Sequence, residues 1–259
     1  MMVRYVSWVV ALCGALMAVP APSSAADLMA LPVDSVVSDG VAQMGTHRFP
    51  LPPGDWTMVA KTTTPIRDTG SGRGGGIISQ TLRVVLVNVK DKVLRARIAI
   101  SASLEPVNFS YWSDDGLCKK SDILYVNLLD RSPNLPECLA INHEVRSFGR
   151  NGSWTDAVPL WMERQGIATP GTVLVTTYQK YVRSGYVYAR ITVNPEASGQ
   201  KPATSAEWGA SEWHKDRINN DAERKAYVDK LIAWSGSMAP VYAKAFADDQ
   251  AVPPLAALP

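Results

Sequence analysis

Cysteine, histidine and phenylalanine are scarce in this sequence: three, three and four of 259 residues. The histidines, His47, His143 and His214, are scattered and form neither His-x-His nor His-Glu-x-x-His. The ligand spacing of a catalytic zinc site is therefore missing, and no metal is expected. A Gly-x-Ser-x-Gly nucleophile elbow is missing as well. Ser198-Gly199-Gln200-Lys201 matches Ser-x-x-Lys. It falls in a Gly/Pro linker instead of at a helix start, and it has no Lys-Thr-Gly partner. No catalytic residue is assigned from the sequence. Charge of one sign is also lacking: 26 Lys and Arg face 24 Asp and Glu, for a formal net charge of +2. That balance excludes a basic patch for nucleic-acid phosphates and a polybasic membrane-surface role. Beyond residue 26 no apolar run approaches the roughly 18 residues that suggest a membrane span.

The N-terminus carries the three parts of an export signal. Arg4 is the only charge before Asp27, residues 5–19 are apolar, and Ser23-Ser24-Ala25 fits the small-x-small rule for cleavage. Cleavage near Ala25–Ala26 is expected, which makes the protein periplasmic or secreted. Cys13 lies inside the apolar stretch behind Leu12, whereas lipidation wants a small residue before the cysteine. The mature chain is expected to be soluble and without a stable membrane anchor. It keeps only Cys118 and Cys138, and two cysteines in an oxidising compartment read as one disulfide. Closing that loop of about 20 residues is worth roughly 3 kcal/mol in the chain-entropy model.

Residues 27–48 show little periodicity and are expected to form an extended arm, followed by a single α+β domain over 49–250. A Pro-rich turn over 49–55 feeds a strand at 56–62. Five glycines within 66–76 surround Arg73. The Walker pattern would need Gly-Lys-Ser/Thr before a helix, so this is read as a flexible loop and no nucleotide cofactor is expected. Segments 79–89 and 92–104 form a hairpin in which Arg95 and Arg97 alternate with apolar residues, giving one wet and one buried face. Further strands are expected at 123–129 and 139–148, a short helix at 154–165, and a second hairpin from 172–182 and 186–193. From Ser205 the pattern turns helical. Asn220-x-x-Glu223 resembles a capping box, Tyr227, Leu231 and Trp234 recur on one face, and Pro240 should break or kink the helix. The tail, 251–259, is expected to be disordered. The fold class is α+β: a twisted, mainly antiparallel β-sheet with helices packed on one face and a C-terminal helical segment.

Aromatic residues carry the functional expectation. Tyr111 and Trp112 share a loop with Phe109, and Tyr186 and Tyr188 share one strand face. These four are the candidate binding residues for a carbohydrate or an envelope protein. Glu207, Trp208, Trp213 and His214 form a second, weaker candidate patch. The leading function is a non-catalytic envelope binding or interaction protein. The alternative is an envelope hydrolase that pairs His143 with Asp114 or Glu144.

Overall fold

The computed structural model describes residues 25–38, 40–67, 76–107, 116–132, 135–150, 152–247 and 252–259. Residues 1–24, the core of the Gly-rich loop and the loop with Tyr111, Trp112 and Asp114 lie outside them.

The regular elements described between residues 25 and 107 are strands: β1 (Ala26–Asp27), β2 (Val36–Val37), β3 (Val41–Met44), β4 (His47–Pro50), β5 (Trp56–Arg67), β6 (Ile77–Lys90) and β7 (Val93–Ser103). Next come β8 (Tyr125–Asp130), β9 (Glu137–Val145), helix α1 (Ala157–Gln165), β10 (Thr172–Val182), β11 (Gly185–Val193) and helix α2 (Ala222–Phe246). Eight strands form one antiparallel sheet in the order β2-β5-β6-β7-β11-β10-β9-β8, and β1-β3-β4 form a small second sheet. The fold is mixed α+β and mostly antiparallel.

Both expected hairpins form because alternating residues meet at tight turns. β6 passes to β7 through Asp91 and Lys92, with φ of 53° and 59°. Two consecutive left-handed residues give the turn a twist that matches the flanking strands. At the start of β11, a Cβ on Gly185 would lie 2.9 Å from Ser103 Oγ, so glycine lets β7 and β11 close together.

Alternate strand residues divide between two apolar clusters. Leu86, Ile98, Ile100, Leu174 and Ile191 pack in one cluster with Leu231, Met238 and Tyr242 of α2. Val85, Val87, Val173 and Val175 pack in another with Val158, Trp161 and Met162 of α1. The expectation of helices on one face is therefore corrected: their buried residues belong to separate clusters. The central strands carry apolar residues at successive positions, so each side offers a surface to bury.

Three further expectations are revised. The 27–48 arm is not a loose extension, because it holds β1 to β4 and buries Leu28, Val37, Ala42 and Met44. Lys61 Nζ donates to the Met29 and Leu31 carbonyls, and Trp161 Nε1 donates to Asp34. Helix α2 begins at Ala222 under a cap by Asp221, whose carboxylate accepts from the Glu223 and Arg224 amides at 3.1 Å. It runs unbroken through Pro240. A proline removes a single helical donor, and the packing of Trp234, Met238 and Tyr242 outweighs that loss. Finally, residues 252–259 lie along α2 with Leu255 in the core, so the described tail is held in place.

Candidate functional site

His143 stands on β9, facing the cluster that α2 covers, and is fully buried. Its Nε2 donates to the Trp208 carbonyl at 3.0 Å, and Trp208 Nε1 donates back to the His143 carbonyl at 3.3 Å. The two rings stack with centroids 5.3 Å apart, and His214 meets both edge-on. His143 Nδ1 has no partner. Burial drives its pKa below the ordinary histidine value; the bond to Trp208 opposes the shift and the His214 charge adds to it. This geometry holds the Trp208 segment on the sheet. Among the described residues the ring is enclosed by Trp208 and His214 and bonds only a backbone carbonyl, whereas a general base must reach a substrate proton. The pairing with Asp114 lies outside the described residues. Strand alternation puts Glu144 on the opposite face, where it bonds Arg190 and Ser147. Of the second aromatic patch, Trp213 and His214 are buried, Trp213 against Tyr227 and the Arg224 guanidinium, while Trp208 is half-buried and Glu207 exposed.

The other candidates meet on the face opposite α2. Cross-strand register arranges that face in rows. Val87, Arg97, Thr192, Val175 and Asn142 form one row; Val85, Ala99, Arg190, Thr177 and Ala140 form the next. Arg83, Ser101, Tyr188, Gln179 and Cys138 follow. Beyond them Tyr186 donates its hydroxyl to Thr81 and lies 5.9 Å from the Tyr181 ring. Tyr188 and Tyr186 therefore do share a face, and both are half-buried. Cys118 and Cys138 have their Cα atoms 5.6 Å apart at disulfide-bonding distance, which ties residues 116–120 to this side of β9. Gln179 Nε2 points at Cys118 Sγ.

The rows carry three arginines, Arg83, Arg97 and Arg190, and the last two interact. Arg97 is 7% exposed, against the expectation that it lies on a wet face. Its Nη2 donates to Thr192 Oγ1 at 3.1 Å, and its guanidinium sits 4.8 Å from the centre of the Phe148 ring. Burial and, next, the Arg190 charge lower its pKa to about 10, with Glu144 partly opposing the shift. It remains a cation at neutral pH. Arg190 reaches across β10 to Glu144. Two arginines in a low-dielectric setting thus share one carboxylate, and Nε of each has no partner. Unpaired buried charge is costly, and an arriving anion would offset that cost.

Among the described residues no three His, Cys, Asp or Glu side chains converge as a metal site would require. No helix there is long and apolar enough to cross a membrane. Comparison with protein-family models, curated proteins and solved structures yields no match for this chain. Arg97, Arg190 and Glu144 lie on three strands and are separated by up to 93 positions. The only sequence signal for them was a charged residue in the alternation of a strand.

Proposed function

We propose that this chain is an exported, non-catalytic binding protein whose ligand sits on the sheet face around Tyr188 and Arg190. The observation that carries this reading is the excess of guanidinium over carboxylate in the half-buried rows. Among the described residues, Arg97 and Arg190 share the single carboxylate of Glu144, next to the rows, and Arg83 adds a third cation to them. Their neighbours in the rows are small: Ala99, Ser101, Thr177 and Ala140. Tyr188 adds a flat ring one row from Arg190. The fitting ligand pairs an anionic group with a ring face, as an acidic sugar of the envelope does. The N-terminal signal and the pair Cys118 and Cys138 support an oxidising, extracytoplasmic setting.

Calorimetry with uronic-acid oligosaccharides and with neutral oligosaccharides of equal length tests the reading. The acidic series should bind at least about tenfold tighter. Arg190→Met should remove that preference, since a charge-assisted bond contributes about 1.5–3 kcal/mol. Equal binding of both series, or unchanged affinity in Arg190→Met, would refute the assignment.

A further inference from the structure

The described tail, 252–259, touches the body in a pattern of its own. Leu255 is buried and Val252 and Leu258 are half-buried, while Pro253, Pro254, Ala256 and Ala257 are exposed. Inward-facing residues recur every third position, the period of a polyproline II helix. The segment Val-Pro-Pro-Leu-Ala-Ala-Leu-Pro has no charged side chain. Three side chains donate to its backbone oxygens, one at an internal peptide carbonyl and two at the last residue. Trp234 Nε1 bonds Ala256 O at 3.0 Å, and Tyr227 Oη and Ser198 Oγ both bond Pro259 O at 3.2 Å. Aromatic-lined grooves take extended, proline-containing segments, and here the Trp234 indole also holds one of the segment's peptide carbonyls. The fit is loose: clefts of 380 and 520 Å³ remain beside the tail, both bordered by Pro53.

We infer that Ser198, Tyr227 and Trp234 form a recognition groove for uncharged, proline-rich peptide segments. The chain's own tail occupies it in cis, and a proline-rich segment of a partner protein takes its place. Tethering gives the tail a high effective concentration, so an incoming segment must outbid it or bind when it is released. This groove is separate from the arginine-bearing sheet face and does not depend on the function proposed above.

The probe is a fluorescent peptide of sequence 251–259, used with the full-length protein. Leu255→Asp withdraws the buried anchor of the cis tail. Peptide affinity, read by anisotropy, should rise at least about tenfold in this variant. Adding Trp234→Phe keeps the ring but removes the donor, and should weaken binding about fivefold. A peptide with Asp at the Leu255 position should not bind. Wild-type protein labelled with ¹⁵N supplies a readout that needs no variant. Excess unlabelled peptide should move the Ala256, Ala257 and Leu258 amide signals to random-coil positions while the Trp234 indole signal stays in place. Static tail signals at millimolar peptide would overturn the inference. So would indifference of binding to Trp234→Phe in a folded Leu255→Asp protein. A concentration-dependent dimer abolished by Trp234→Phe would make a second copy the occupant, and would overturn it too.

Discussion

The two faces of the eight-stranded sheet come from the same strands, yet they are completed differently. On the α2 side, alternate positions from β5 to β9 are apolar, and a 25-residue helix supplies Leu231, Met238 and Tyr242 to close the layer. On the other side the nine-residue α1 covers only the end formed by Val85, Val87, Val173 and Val175. The rest of that side holds Arg83, Arg190, Tyr188 and Thr177, closed in part by the Cys118–Cys138 link. One face therefore spends its area on stability. The other keeps polar groups at partial burial, where a charge interacts more strongly than in water, and that is the setting a binding surface needs.

The sharpest way to break this contrast is to truncate one residue on each side. Leu231→Ala should cost about 2–5 kcal/mol in urea unfolding, because it opens a cavity in a fully buried layer. Tyr188→Ala, at a half-buried position, should change stability by less than about 1 kcal/mol while weakening ligand binding. Comparable losses from the two variants would mean that both faces are simply core.

Next in size is the link between Cys118 and Cys138. Reducing it should lower stability by roughly 3 kcal/mol, the loop-closure value for about 20 residues. Amide exchange should accelerate in β8 and β9 more than in β6 and β7, since the link holds the β9 side of the sheet. Uniform acceleration would show that the polar face has no local dependence on it.

The smallest effect is a pH dependence on the α2 side. Burial holds the folded-state pKa of His143 below its ordinary value. The unfolded chain therefore takes up this proton first as pH falls. Stability is full above about pH 6.5, the unfolded histidine value, declines as pH drops below it, and levels off beneath the lowered folded value. Urea midpoints between pH 7.5 and 4.5 should show this decline, and His143→Leu should flatten it. An unchanged slope in His143→Leu would assign the dependence to other groups.

The legible parts of the fold were those in which local pattern and final environment agree. β10 and β11 were readable to within one residue, because alternating side chains and a two-residue turn specify a hairpin without reference to the rest of the chain. β1 to β4 were illegible. Two-residue and four-residue strands are too short for periodicity, and they exist because Leu28, Met44 and Phe49 find a core built elsewhere. The tail failed for a related reason: its prolines look like disorder until Trp234 and Tyr227 are placed beside its carbonyls. Of the candidate binding residues, Tyr186 and Tyr188 were correctly set on one strand face, whereas the arginines next to Tyr188 went unnoticed.

What the sequence by itself determined was local or compositional: the absence of nucleophile, zinc and nucleotide motifs, the two hairpins and the pairing of Cys118 with Cys138. These rest on spacing within a few residues or on counting, so no long-range contact is needed to read them. The tertiary structure alone decided the rest. Strand register set Arg97 and Arg190 against a single Glu144, a link across 65 positions placed His143 under Trp208, and α2 gave the proline-rich tail its donors. Which residues become neighbours across a sheet depends on burying both faces of every strand at once, and no short window of sequence carries that condition.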